Sequence, residues 1–125
     1  MVWRYRPAGS SFPFYASSAV AGGRVIAGGR DGMVHALDAG TGEALWVFAA
    51  GARVDASPVI AGDRVYAASM GGRLHGLDLA TGAGMWTFEG ASAFAASPAV
   101  ASGRLVIGDA DGVLYCFAAP SVETE

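Results

Sequence analysis

Asparagine and glutamine are absent from the 125-residue sequence, and cysteine occurs only once. A single cysteine excludes an intrachain disulfide and any metal site built from several cysteines. Charged residues are also scarce, at 15%, and the net charge of −3 lacks the basic excess that nucleic-acid binding requires. We therefore expect no nucleic-acid partner.

Long apolar runs are missing as well, because none approaches the roughly 20 residues of a membrane-spanning helix. The first residues are too polar for a signal peptide, and Pro7 follows them directly. These features predict no membrane span. Two compartments are consistent with them: the cytoplasm and, for an excised domain, an extracytoplasmic space.

Small apolar residues are abundant. Hydrophobic residues make up 53% of the sequence, many of them alanine, and the mean hydropathy of +0.39 is high for a soluble monomer. We expect part of this apolar surface to be covered by another copy of the chain or by further sequence. The lone Cys116 lies in the apolar run Val113–Phe117 and is predicted to be a buried small hydrophobe.

A short motif, Asp-x-x-Thr-Gly-x-x-x-Trp, occurs twice in the sequence. It runs from Asp38 to Trp46 and again from Asp78 to Trp86, which places the two copies 40 residues apart. Self-similarity at a period of this size is typical of repeat architectures. We therefore take the repeat, rather than any single residue, as the unit of interpretation.

Short strand-like segments separated by turn signals fill each repeat, and no helical pattern competes with them. Asp31-Gly32 is a strong hairpin signal, since such turns require positive φ. Four short antiparallel strands in about 40 residues match one blade of a β-propeller. The sequence thus predicts an all-β fold with three four-stranded antiparallel blades' worth of strands per chain.

The predicted boundaries place one partial propeller over residues 1–125. Residues 16–49 and 56–89 form two blades, and residues 96–118 form a blade that lacks its outer strand. Residues 1–6 are an orphan outer strand, because Trp3-x-Tyr5 matches Trp46-x-Phe48. The tail from Pro120 onward is predicted to fray.

The repeated motif, with Ser-Pro opening the later units, resembles the PQQ-like (pyrroloquinoline-quinone-type) β-propeller repeat. The resemblance implies that each Trp docks on the Thr-Gly turn of a neighbouring blade, and that the Asp supports this turn. The third turn is degraded, since Ser121 and Val122 stand where Thr-Gly is expected. The residues assigned to structural blade docking are Trp3, Asp38, Thr41, Gly42, Trp46, Asp78, Thr81, Gly82 and Trp86.

Quinoprotein dehydrogenases with this repeat use a quinone pocket, a calcium ion held by acidic and amide ligands, a catalytic Asp and, in many cases, an adjacent-cysteine disulfide. Amide side chains of Asn and Gln and a cysteine pair are all missing here. We therefore expect a non-catalytic protein with no catalytic residue, no cofactor and no metal. His35 and His75 share one repeat position and are interpreted as rings accepted by the blade, and Asp109–Gly112 is interpreted as a hairpin rather than a calcium loop.

An end of the propeller is the expected binding surface, because loops there differ between otherwise equivalent repeats. Exposed aromatic residues at such a surface would suit a protein or peptide partner. The alternative is that these aromatic side chains pack on neighbouring blades. The candidate interaction residues are Phe14, Tyr15, Arg30, Met70 and Phe94.

Three repeats are fewer than the four to eight blades of most closed propellers. The orphan strand of one chain can complete the last blade of the next by strand addition, which gives a head-to-tail homo-oligomer. A dimer with six blades is preferred; the competing explanation is a fragment of a propeller with seven or eight blades. The predicted function is a non-catalytic interaction scaffold.

Two alternative functions accompany the scaffold. One is a small-molecule sensor or vestigial quinoprotein-like binding domain, and the other is an engineered or excised propeller fragment. The relatives that the resemblance implies include bacterial outer-membrane assembly lipoproteins and sensor domains of bacterial serine/threonine kinases.

Overall fold

The computed structural model describes residues 1–9 and 11–118, and this part of the chain contains eleven β-strands and no helix. The strands form three antiparallel sheets, and each strand pairs with its neighbour in sequence. This arrangement is the all-β, blade-like organisation that the repeats predict. Two sheets have four strands and the third has three.

The strands have similar lengths at equivalent places in each repeat. The first sheet contains β1 (Ala19–Ala21), β2 (Arg24–Gly28), β3 (Met33–Asp38) and β4 (Ala44–Ala49). The second sheet contains β5 (Val59–Ala61), β6 (Arg64–Ala68), β7 (Arg73–Asp78) and β8 (Gly84–Glu89). The third sheet contains β9 (Ala99–Ala101), β10 (Arg104–Gly108) and β11 (Leu114–Ala118).

The turn between the second and third strand of every sheet depends on one glycine. Gly32, Gly72 and Gly112 have φ values of +82°, +82° and +85°, a region that side chains with a Cβ rarely adopt. At Gly72 the space is also limited, since a Cβ there would lie 2.9 Å from the carbonyl oxygen of Ser92. The hairpin signals in the sequence therefore correspond to a turn that glycine makes possible.

The sheets stack face to face, and we call the face of each sheet toward the preceding repeat its upstream face and the other its downstream face. The first buried cluster lies between the first and second sheets. Ile26 and Val34 enter it from the downstream face of the first sheet, and Val65, Ala67 and Leu77 enter it from the upstream face of the second. Strand alternation places every second side chain in this interface.

A second cluster repeats this arrangement one blade further along. Tyr66 and Leu74 enter it from the downstream face of the second sheet, and Leu105 and Ile107 enter it from the third. All four side chains are buried. The core of the molecule therefore consists of two inter-blade layers, because each thin sheet buries both of its faces only when it has a neighbour on each side.

The downstream face of the third sheet has no sheet packed on it in the part of the chain that the structure describes. Leu114 occupies the repeat position of Leu74, yet Leu114 is 73% exposed and Leu74 is 0% exposed. Cys116 lies on the same face and is exposed as well. The prediction that Cys116 is buried is therefore wrong, because burial at this position requires a following blade.

The N-terminal segment was predicted to be an orphan outer strand that completes a blade outside its own chain. Residues 1–6 pair with no strand of the described chain, so that assignment stays a prediction. They lie on the first sheet through their side chains instead, as the contacts of Trp3 and Tyr5 show below. The tail predicted to fray, from Pro120 onward, falls outside the described residues.

The buried clusters predict unequal costs for two leucine substitutions. Leu74→Ala removes a side chain that is 0% exposed, and we expect it to lower the free energy of unfolding by about 2–5 kcal/mol. Leu45→Ala changes a side chain that is 45% exposed on β4 and should cost less than about 1 kcal/mol. Urea denaturation of both variants measures the difference, and equal losses would contradict the placement of the core.

Candidate functional site

The first and second sheets are joined by Trp46 of β4. Its indole Nε1 donates a hydrogen bond to the carbonyl oxygen of Leu79, at 2.9 Å. The indole ring lies flat against Gly82, where a Cβ would overlap the ring atoms. Gly82 also has a φ of +76°, so backbone conformation and close approach both require glycine.

Trp3 makes the same contact on the first sheet. Its Nε1 donates to the carbonyl oxygen of Ala39 at 2.9 Å, and its ring covers Gly42, which has a φ of +77°. The N-terminal segment thus occupies the place that β4 occupies in the next interface. The structure therefore brings together two of the predicted Trp–Gly pairs, Trp3 with Gly42 and Trp46 with Gly82.

The two predicted aspartates hold the turns on which these indoles lie. Asp38 Oδ1 accepts hydrogen bonds from the backbone N–H groups of Gly40 at 2.8 Å and Thr41 at 2.9 Å. Asp78 Oδ1 accepts from Ala80 at 2.8 Å and Thr81 at 3.0 Å in the same way. The donor from Thr41, followed by that from Gly40, holds the pKa of Asp38 below its ordinary value.

The two threonines act within the turns rather than on the indole rings. Each Oγ1 accepts a hydrogen bond, at 3.2 Å, from the backbone N–H two residues later. Both threonines are exposed. Trp86 makes an edge-to-face contact with Phe117 at 5.1 Å between ring centroids. Its predicted docking turn at 121–122 falls outside the described residues.

A second aromatic contact recurs at every interface, and the sequence reasoning missed it. The ring two residues after each docking Trp packs on a ring in the third strand of the next sheet. The repeats contain the signal for this contact, because rings recur at two equivalent positions. One position holds Tyr5, Phe48 and Phe88, and the other holds His35, His75 and Tyr115. The centroid distances are 5.6 Å for Tyr5–His35, 4.9 Å for Phe48–His75 and 5.2 Å for Phe88–Tyr115.

The two histidines have different polar surroundings. His35 is fully satisfied, with Nδ1 3.1 Å from the Tyr5 hydroxyl and Nε2 2.9 Å from Asp31 Oδ2. His75 Nδ1 lies 3.2 Å from Thr87 Oγ1, but its buried Nε2 has no partner among the described residues. The cause is a sequence difference, since Gly71 stands at the repeat position of Asp31.

Burial is the main reason why the pKa of His75 is lowered, and the nearby charge of Arg73 lowers it further. A hydrogen bond with the backbone of Ala50 opposes this shift only in part. His75 is therefore a neutral ring in the inter-blade layer at physiological pH.

One loop cluster at an end of the sheets contains three of the predicted interaction residues. Arg30 forms a bidentate ion pair with Asp55, with N–O distances of 3.0 and 2.9 Å, and its guanidinium lies 4.2 Å from the centre of the Tyr15 ring. Tyr15 is 64% exposed and Phe14 is 38% exposed, with the Phe14 ring against His35 at 5.4 Å. Loop contacts therefore hold exposed aromatic surface in a defined orientation.

The remaining two predicted surface residues behave differently. Met70 is half-buried, and its N–H donates to the carbonyl oxygen of Arg53 at 3.0 Å. Phe94 is fully buried in the second cluster, 6.0 Å from the Tyr115 ring. Its loop turns the side chain inward between two sheets, as it does at the equivalent Val54. Phe94 therefore follows the stated alternative, in which these aromatic side chains pack on neighbouring blades.

A groove of about 470 Å³ lies between the N-terminal segment and the first sheet. Its polar groups are Tyr5, Asp31 and His35, which are already hydrogen-bonded to one another. The rest of its lining is mostly apolar and includes Phe12 and Met33.

The described residues offer no group of three or more His, Cys, Asp or Glu side chains that could hold a metal ion. Within the same residues, no helix is long and apolar enough to cross a membrane.

Stacked antiparallel sheets of three or four strands, with an indole docked on a glycine turn of the first and the second sheet, define a PQQ-like β-propeller protein. The chain belongs to the family described as outer membrane protein assembly factor BamB, which matches residues 1–121. No curated protein sequence matches it at a significant level.

Solved structures share this fold. BamB from Moraxella catarrhalis superposes with a TM-score of 0.78 and 29% identity, over 94% of this chain and 36% of that one. Quinohemoprotein alcohol dehydrogenase ADHIIG from Pseudomonas putida HK5 superposes with a TM-score of 0.78 and 24% identity, over 90% of this chain and 19% of that one. Quinohemoprotein alcohol dehydrogenase from Comamonas testosteroni superposes with a TM-score of 0.75 and 24% identity, over 86% of this chain and 20% of that one. The chain thus spans about a third of that BamB and a fifth of the dehydrogenases.

The indole contact predicts a large cost for a single methyl group. Gly82→Ala adds a Cβ against Trp46 at a positive φ, whereas Gly62→Ala adds one at a φ of +60° with nothing within 4 Å. Both variants place an alanine at a positive φ and are destabilised by that strain. Only in Gly82→Ala does the new Cβ also overlap the Trp46 ring, which should add about 1–3 kcal/mol of destabilisation. Urea denaturation compares them. Equal stabilities would show that Trp46 does not dock on this turn.

The neutral His75 predicts a specific pH dependence of stability. The pKa of His75 is lower in the folded than in the unfolded chain. Its contribution to the free energy of unfolding is therefore fully present above the ordinary pKa of 6.5 and is lost as the pH falls below that value. His75→Phe keeps the ring contact and removes the titration. Between about pH 8 and pH 5, the original protein should lose more stability than this variant. Identical losses in chemical denaturation would contradict the assignment.

Proposed function

We propose that this chain is a non-catalytic β-propeller scaffold whose blades bind a further propeller unit head to tail. The observation that carries the proposal is the uncovered downstream face of the third sheet. Leu114 and Cys116 are exposed there. The equivalent residues are buried in the other two sheets, namely Val34 and Ala36 in the first and Leu74 and Gly76 in the second.

The opposite end of the stack shows the complementary deficit. Val25 and Ala27 on the upstream face of the first sheet are only half-buried. Their equivalents in the second sheet, Val65 and Ala67, are buried under the first sheet. The two incomplete faces are therefore the two halves of the interface that already occurs twice inside the chain.

Blade surfaces of this kind bind by shape and apolar contact. Each internal interface places small and branched side chains of one sheet against those of the next. A pair of uncovered faces with the same residue pattern can associate in the same way, because burial of apolar area is the main favourable term in such contacts. A second propeller unit is therefore the partner that fits best.

The polar chemistry of the chain supports a binding role over catalysis. Tyr5, His35 and Asp31 satisfy one another in the groove beside the first sheet. Burial, and then the charge of Asp31, raise the pKa of Tyr5, so its hydroxyl stays protonated at neutral pH. No cofactor is part of the proposal.

The relatives support a role in assembly. The matched family is described as an outer membrane protein assembly factor, and we extend this role to the present chain as a protein-binding scaffold. The loop cluster with Phe14, Tyr15 and Arg30 offers a second contact for a protein or peptide, because exposed aromatic and arginine side chains are frequent in binding hot spots.

Light scattering of the purified chain tests the proposal. We expect a dimer, and we expect Leu114→Asp to produce monomers because it places a charge in the proposed interface. Leu45→Asp is the matched control: its equivalent Met85 remains 51% exposed at an internal interface, so Leu45 should stay exposed after association. A monomer at all concentrations, or equal effects of both variants, would refute the scaffold assignment.

A further inference from the structure

We infer that residues 2–6 of a second copy form the fourth strand of the third sheet, antiparallel to β11, with Trp3 opposite Cys116. This inference rests on the head-to-tail association proposed above and specifies its atomic register. Residues 2–6 would then contact two chains at once. The side chains of the segment dock on its own first sheet while its backbone completes the sheet of the partner.

The register follows from the second sheet. There β8 pairs with β7 so that Phe88 lies opposite Leu74 and Trp86 lies opposite Gly76. Tyr5 corresponds to Phe88 by its ring contact with the third strand of the next sheet. Trp3 makes the same docking contact as Trp46, and Trp86 is the repeat equivalent of Trp46. Leu114 and Cys116 of β11 correspond to Leu74 and Gly76 by position in the repeat. Transfer of the pairing places Tyr5 opposite Leu114 and Trp3 opposite Cys116.

The residue opposite the docking Trp supports this register independently. In the first sheet Trp46 faces Ala36, and in the second Trp86 faces Gly76. At Gly76 the space is limited, since a Cβ would lie 3.2 Å from the Tyr66 ring and 3.4 Å from the Trp86 ring. The third sheet again has a small residue, Cys116, at this place. A small side chain is thus kept opposite an indole in every sheet, and Trp3 is the indole that the third sheet lacks.

The N-terminal segment is ready for pairing. Trp3 and Tyr5 fix it to the first sheet through side-chain contacts to Ala39, Gly42 and His35. No strand of the described chain pairs with its backbone. In the same way, β4 uses Trp46 to dock on the second sheet while its backbone pairs with β3. Docking and pairing are therefore compatible in one strand.

The receiving edge has the matching properties. Among the described residues, β11 pairs on one side only, with β10, and its other edge is open. An open edge with apolar side chains favours the addition of another strand. The charges agree as well, because the segment carries Arg4 and Arg6, and the end of the third sheet near β11 carries Asp109 and Asp111.

Reciprocal exchange closes the assembly. Each copy donates one segment and receives one, so a head-to-tail pair has no three-stranded sheet left if its rotation closes. Two copies then contain six complete blades, which lies within the usual range for propellers.

Disulfide trapping tests the register in a Cys116→Ala background. Arg6 should face Val113, as Glu89 faces Arg73 in the second sheet. A mixture of Arg6→Cys and Val113→Cys chains should therefore form covalent dimers under mild oxidation. A mixture of Arg4→Cys and Val113→Cys chains is the control, because Arg4 lies on the same face but two residues out of register. We expect at least about tenfold more covalent dimer from the first mixture, since diagonal pairs exceed disulfide reach.

Light scattering of the reduced variants separates the outcomes. Dimers with register-selective trapping support the strand exchange. Dimers without selectivity overturn the exchange and leave the head-to-tail scaffold standing. Monomers overturn both. Circular dichroism of each variant checks folding, and the four substituted side chains are all exposed.

Discussion

The contact between an indole ring and a glycine turn is the interaction on which this structure depends. Trp3 and Trp46 can reach the carbonyl oxygens of Ala39 and Leu79 only because the residue beneath each ring has no Cβ. Docking therefore depends on the conformation of the turn, and the carboxylates of Asp38 and Asp78 accept backbone hydrogen bonds that hold it. Each sheet buries its apolar side chains only against a neighbouring sheet. The contacts between indole rings and glycine turns therefore determine how the sheets are aligned with one another.

A protein built in this way has faces that need covering at both ends. Inside the chain, each downstream face is buried by the sheet that follows, and the indole contact fixes the distance between them. At the third sheet the same apolar pattern is repeated but uncovered, with Leu114 exposed where Leu74 is buried. The proposed association does not require a new kind of contact. It requires one more instance of the contact that the chain already makes twice.

Much of this could be predicted from the motif, because Asp, Thr, Gly and Trp act locally or on the adjacent repeat. The all-β blades, the glycine turns and the Trp–Gly pairing belong to this class. Burial could not be predicted with the same success, since it depends on which sheet lies on which face. For Phe94 the sequence left a surface position and packing between blades both open, and the side chain is buried; Cys116 was assigned to the core and is exposed. The strand predicted within residues 1–6 needs a sheet edge that the described chain does not place beside it.

The central claim is that the third sheet is completed and covered in the assembled protein. Hydrogen exchange of the amides in β11, compared with those in β7 at high and low protein concentration, tests this claim most directly. If the claim is right, β11 exchanges as slowly as β7 at high concentration and loses this protection on dilution. Fast exchange of β11 at every concentration, beside a protected β7, would contradict it.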